Sequence, residues 1–185
     1  MRIEIKPEDS YHLINHSPCS LITTGDRDRQ NVAPINWTMP LNNDPALMLT
    51  VVEEGITTDD LIKSSGEFVI NVVGEPLAEK VLDCGKTHGS ETNKFEKIGL
   101  TPVACRQVTP PRLAESLAHI ECKVVDRHPH EGVTIYIGKV LHAEVEEECW
   151  NGKRIIPEKA RTIHHLSGGE FVVAERVIRI DKKSH

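Results

Sequence analysis

The sequence predicts a mainly β fold, a barrel or sandwich carrying a few short helices. Three observations lead there. Six or seven segments alternate apolar and polar residues or run as short β-branched stretches, which is the pattern of strands. Only three segments carry helix punctuation, and each spans about ten residues. The two kinds of segment do not alternate regularly, and no G-x-G-x-x-G follows a strand, so neither a βαβ sheet nor its dinucleotide fingerprint is predicted.

Taken in order, CSLITTG (19–25) leads through the polar turn DRDRQ into NVAPINWT. ALMLTVV (46–52) reads as a buried strand. TTDDLIKSSG (57–66) has a threonine cap, acids in its first turn and a terminal glycine, so it reads as a helix. EFVINVV (67–73) sets Phe68, Ile70 and Val72 against Val69, Asn71 and Val73. PLAEKVLDCG (76–85) opens on proline and closes on glycine, again a helix. ETNKFEKIGL forms one or two turns with Phe95 and Ile98 facing inward. LAHIECKVVDR (117–127) is a strand in which Cys122 is a small core hydrophobe. VTIYIGKVLHAEV alternates most clearly, with Val133, Ile135, Ile137, Lys139, Leu141, Ala143 and Val145 on one face. EFVVAERVIRI (170–180) closes the set as a last strand.

The 185 residues favour one domain over 1–185, with its core at about 18–171 and a C-terminal strand to about 180. No apolar run reaches the ~18 residues of a membrane helix. The start MRIEIKPEDSY lacks the apolar block of a signal peptide, so a cytoplasmic protein without membrane contact is expected. Five scattered cysteines without a C-x-x-C pattern are expected as reduced thiols. A net charge of −6 without a basic stripe argues against nucleic acid. The acidic run Glu144 to Glu148, interrupted by Val145, reads as a solvated strand end.

Residues 31–45, NVAPINWTMPLNNDP, fit neither a core strand nor a plain surface loop. Pro34 and Pro40 remove backbone donors, so the segment belongs at a sheet edge or in a loop. An edge leaves N–H and C=O groups free, Asn31, Asn36 and Thr38 add polar side chains, and Trp37 adds a flat face. That set suits a flat heteroaromatic with polar rims. The alternative is a proline-rich crossover with Trp37 in the core.

The ordered series TTGDRDRQNVAPINWTMPLNNDPALM, SGEFVINVV, CGKTHGSETNKFEKIGL, PPRLAESLAHIECKVV and VTIYIGKV resembles the flavin reductase-like family. These are FMN-binding split-barrel proteins that include flavoredoxins and archaeal-type ferric reductases, and the likeness runs from about Pro18 to about Phe171. It implies a Greek-key split β-barrel, a homodimer, and FMN held without a covalent bond at the dimer interface. It also implies an oxidoreductase that passes electrons from NAD(P)H or a reduced carrier, through FMN, to a ferric chelate, a flavin or a redox protein. A non-enzymatic FMN store or sensor is the alternative.

By the same resemblance, Asn36, Trp37 and Thr38 line the flavin ring, with Ala33 and Pro34 giving close backbone approach. Thr92, Asn93 and Lys94 open a short helix whose free N–H groups suit the FMN phosphate. Ser90 is a further candidate there, and Thr57 and Thr58 open another helix that could serve the phosphate or be simple caps. Asn71, among apolar neighbours, must find partners and either bridges strands or meets the ribityl chain.

Where relatives carry Gly-Asp-His, this chain has Glu131, Gly132 and Val133, which puts nicotinamide use in question. His128 or His130 stands near enough to substitute. RTIHHLSGGEFVV resembles a closing helix-turn-strand whose His164, His165 and Phe171 border the ring or a second substrate. Adjacent His164 and His165 point about 100° apart on a helix, and Gly85 interrupts Cys84 and His88, so no metal site is expected. No nucleophilic side chain is expected either, because the cofactor carries the chemistry.

Overall fold

The protein is described from a computed structural model covering residues 2–26, 28–89 and 93–180. Eleven strands are present among these residues: β1 Ser20–Gly25, β2 Gln30–Ile35, β3 Thr38–Asn43, β4 Ala46–Glu53, β5 Glu67–Val72, β6 Pro102–Val103, β7 Arg112–Leu113, β8 Ala118–His130, β9 Val133–Val145, β10 Ile163–Ser167 and β11 Glu170–Val173. Four short helices accompany them, α1 Thr57–Ser65, α2 Ala78–Lys86, α3 Lys94–Ile98 and α4 Pro157–Ala160. Among the described residues no helix is long and apolar enough to cross a membrane.

Seven strands form one antiparallel sheet in the order β2-β1-β5-β8-β9-β4-β3. Its two edge strands, β2 and β3, are joined by Asn36 and Trp37 alone. Three Cα steps of 3.8 Å reach at most about 11 Å. Opposite edges of a seven-stranded sheet meet over so short a link only if the sheet rolls up, so the fold is a barrel split along β2 and β3. Pro34 and Pro40 therefore sit on the edges, as their missing N–H groups require.

Two layers of core result. Ile22, Phe68, Ile70, Cys122, Tyr136 and Val52 fill the barrel, with Ile62 of α1 against them. Leu21, Val32, Val81, Cys84, Phe95 and Leu113 form a second cluster, where α2 and α3 cover the outside of β1 and β2. β1 is buried along its whole length because both its faces are covered.

Several sequence expectations need correction. Along β9 the buried positions are Thr134, Tyr136 and Gly138, while Val133, Ile135 and Ile137 are only half-buried. The inward face is the one opposite the apolar alternation. Phe68 decides it: a Cβ on Gly138 would lie 2.6 Å from Phe68 Cζ, so only glycine lets that ring cross the barrel. Thr57 is not a cap; Ile56 precedes α1 and no side chain caps it. Gly85 lies inside α2 instead of ending it. The closing segment is strand-turn-strand, because Ile163–Ser167 pairs with Glu170–Val173, and the strand expected to 180 stops at Val173.

Trp37 is not in the core. It is 49% exposed, its indole N–H donates to Asn15 Oδ1 at 3.2 Å, and Tyr11 packs edge-on against it at 6.2 Å.

Candidate functional site

Three cavities share walls along the β2–β3 junction. The first, about 490 Å³, is bordered by Ala33, Pro34, Thr57, Thr58, Gly89 and Lys94. The second, about 300 Å³, is bordered by Pro34, Asn36, Gly85, His165 and Phe171. The third, about 670 Å³, is bordered by Pro34, Asn36, Trp37, Glu53, Gly132 and His165. Pro34 belongs to all three, so they form one trough along the open edge of β2. A larger cavity, about 860 Å³, adjoins the first through Thr57, Asp60 and Gly89. Its rim carries Asp28, Asp60 and Glu96 against Arg29, a poor setting for an anion.

One end of the trough is cationic. Lys94 is 6% exposed, and its ammonium donates to the carbonyls of Val32 at 2.9 Å and Cys84 at 3.0 Å. Among the described residues no carboxylate pairs with it. An ammonium has three N–H donors, and these two bonds leave one over. Burial pulls its pKa below the ordinary lysine value, and the nearby Cys84 opposes that in part. The start of α1 faces the same cavity through Thr57 and Thr58, and the first backbone N–H groups of a helix lack partners within it. Asn31 donates to Thr58 Oγ1 at 2.9 Å, while its own Oδ1 is buried and without a partner among the described residues. Gly89 passes so close that a Cβ there would meet this Oδ1 at 2.1 Å.

The other end is flatter and more apolar. Nδ1 of His165 lies 2.9 Å from Asn36 Nδ2, and Nε2 lies 3.0 Å from the Gly168 carbonyl. A carbonyl only accepts, so the neutral ring carries its proton on Nε2 and accepts at Nδ1 from the Asn36 amide. That fixes Asn36 with Oδ1 turned away from His165, buried and without a partner among the described residues. Phe171 lies beside His165 with ring centroids 5.2 Å apart.

The trough thus gathers Ala33, Pro34, Asn36, Trp37, Thr57, Thr58, Lys94 and Phe171 of the residues expected from sequence. Four others lie elsewhere. Thr38 sits beyond Trp37, its hydroxyl paired with Thr50 at 2.9 Å. Asn93 caps α3 by accepting from Phe95 N and borders the larger cavity. Asn71 is wholly spent as a bridge: it donates to Leu21 O and Thr23 Oγ1 and accepts from Leu113 N. His130 is exposed at the end of β8 and borders none of these cavities; the hairpin reaches the trough through Glu131, Gly132 and Val133. Ser90 and Thr92 lie outside the described residues.

Asn31, named among the polar side chains of the 31–45 segment, lies in the wall, whereas sequence reasoning missed His88 and Gly89 there, and Tyr11 and Asn15 as supports of Trp37. Glycine after histidine in KTHGS was the one available signal, since glycine marks close backbone approach.

Residues 13–154 match the flavin reductase like domain. An uncharacterised protein of Pyrococcus abyssi is 33% identical over 165 residues, covering 89% of this chain and 94% of its own. Among solved structures, flavoredoxin from Methanosarcina acetivorans superposes with a TM-score of 0.87 at 18% identity, over 97% of this chain and 95% of that one. An FMN-binding protein from Thermus thermophilus, with bound 1-cyclohex-2-enone, gives 0.85 at 17% identity, over 97% and 99%. The barrel described above is therefore the fold of these proteins.

Proposed function

The chain belongs to the flavin reductase-like family, and on that premise we propose that it is an FMN-dependent oxidoreductase of flavoredoxin type. The observation that carries the reading is the trough's polarity: a buried Lys94 with no carboxylate partner among the described residues at one end, and at the other a flat, aromatic-edged slot whose Asn36 Oδ1 has no partner among those residues. Each has a natural partner. Lys94 and the start of α1 would hold a phosphate dianion. Asn31 Oδ1 would accept from a ribityl hydroxyl, and Asn36 Oδ1 from the imide N–H of the ring. Bound FMN supplies the redox chemistry, accepting electrons from a donor and handing them on.

The chain's own work is placement. Lys94 is itself fixed by two carbonyls, so it offers a charge that needs no reorganisation when the anion arrives. His165 orients the Asn36 amide, which sets the sign of the hydrogen bond offered to the ring. The third cavity's volume of about 670 Å³ beside Trp37 leaves room for a second reactant. Trp37, Met39 and Leu41 leave β3 with an exposed apolar edge, and a second copy of the chain covering it would complete the outer wall. The homodimer is part of this proposal.

The purified protein is expected to be yellow, or to bind added FMN at micromolar concentration with quenching of Trp37 fluorescence. A Trp150→Phe variant keeps that quenching and a Trp37→Phe variant loses it. A colourless protein that ignores FMN would end this reading. Anaerobic bleaching by NADH, NADPH or a reduced carrier protein then identifies the donor; no bleaching by any of them would make the protein a flavin store.

A further inference from the structure

β8 and β9 carry the same tripeptide pattern, His-x-Glu, at His119–Glu121 and His142–Glu144. The antiparallel register sets His119 opposite Glu144 and Glu121 opposite His142. The four side chains therefore share one face of the sheet as a square, with like residues on the diagonals. None of them borders the flavin trough.

Three corners of this square converge. His142 Nε2 lies 3.0 Å from Glu144 Oε1, and His119 Nε2 lies 3.9 Å from Glu144 Oε2. Ligand atoms of His119, His142 and Glu144 all lie within 4.8 Å of one another. Around a tetrahedral zinc with bonds of about 2.0–2.2 Å, neighbouring ligand atoms stand roughly 3.4 Å apart. The observed separations bracket that value.

The fourth corner is committed elsewhere. Both oxygens of the fully buried Glu121 accept backbone N–H groups, from Arg106 at 3.0 Å and Gln107 at 2.6 Å. Glu121 instead places a fixed negative charge 3.5 Å from His119 Nε2, which favours a cation there. On the open side Glu144 is paired with the guanidinium of Arg106 at 2.6 Å. Arg106 is 69% exposed and can swing into water, so it acts as a displaceable cation.

We propose that His119, His142 and Glu144 form a divalent-metal site with three protein ligands and an open fourth position for water. Two imidazole nitrogens and one carboxylate oxygen select zinc, cobalt or nickel over magnesium and calcium, which prefer all-oxygen shells. The ligands come from two strands, which is why no spacing motif marks them.

The test is calorimetric titration of the full chain, stripped with chelator, with Zn(II), alongside the visible spectrum on adding Co(II). One equivalent per chain at micromolar affinity or tighter is expected, unaffected by millimolar Mg(II) or Ca(II). His142→Ala and Glu144→Gln, both at partly exposed positions, are each expected to weaken binding at least tenfold with an unchanged circular dichroism spectrum. Arg106→Gln is expected to tighten it, because Glu144 is released. No binding, or binding equally strong in both ligand variants, would overturn the site; the second result would assign the metal to other histidines.

Discussion

Asn36 and His165 hold each other where two cavities meet, side-chain amide to ring nitrogen at 2.9 Å, and the ring is held in turn by the Gly168 carbonyl at 3.0 Å. The pair comes from segments 129 positions apart. Its consequence is that Asn36 carries an acceptor, Oδ1, on the side away from His165. Asn36→Ala should therefore weaken FMN binding by about 1–3 kcal/mol, the cost of an unmatched buried group. Fluorescence titration checks it, and an unchanged dissociation constant would remove Asn36 from the ring site.

Lys94 gives a prediction that separates phosphate recognition from folding. Lys94→Met keeps the length of the stem and deletes the charge. FMN affinity should fall by about 1–3 kcal/mol, as for losing a hydrogen bond to a charged group, while riboflavin affinity stays the same because it lacks the phosphate. Equal losses for both ligands would make Lys94 a strut between Val32 and Cys84 only. In the wild type, FMN affinity should be flat through neutral pH and fall on the alkaline side before the ordinary lysine value of 10.5, since burial depresses this group.

Much of the barrel was legible because strand alternation is local. β4, β5, β8 and β9 start within a residue of their expected positions. Barrel closure came only through the family resemblance, since it depends on which strands end up as edges; two prolines hinted at edges without saying that they were opposite ones. The buried face of β9 could not be read from its apolar alternation, because Thr134, Tyr136 and Gly138 are buried and Val133, Ile135 and Ile137 only half-buried. The deciding residue was Gly138, which carries no hydrophobic signal and matters only through Phe68 on another strand. At the site, Trp37, Asn36 and Asn31 stood out in the sequence and His165 came through the family resemblance, whereas the pairings of Asn31 with Thr58 and of His165 with Asn36 appeared only once folding brought them together. The burial of Lys94 could not be read from a helix start that looks solvent-exposed.

That reading of Gly138 is itself testable. A Cβ there would lie 2.6 and 2.8 Å from Phe68 Cζ and Cε1 and 2.9 Å from Cys122 Cβ. Gly138→Ala should cost about 1–3 kcal/mol through overpacking. Adding Phe68→Leu to it should cost less than the two single changes summed, because removing the ring tip relieves the clash. Denaturant midpoints measure all three variants; strict additivity would mean that the ring and the glycine do not meet.

Asp59 ties the helix that faces the trough to the barrel wall. Its Oδ1 accepts from the Tyr136 hydroxyl at 2.6 Å, and its Oδ2 accepts from Lys63 at 2.6 Å and Gly55 N at 2.9 Å. Burial pushes the carboxyl up, and the bonds from Lys63, Tyr136 and Gly55 outweigh it, leaving the group below its ordinary value of 3.8. A depressed carboxyl stabilises the fold above its unfolded pKa of about 3.9, and that contribution is lost as pH falls through the lower, folded value. Asp59→Asn should therefore be less stable than wild type by about 1–3 kcal/mol at neutral pH. The gap should stay constant down to about pH 5 and close below about pH 4. Melting temperatures across that range decide it: a gap that persists unchanged at pH 3 would show that the ionised carboxylate is not what holds α1 in place.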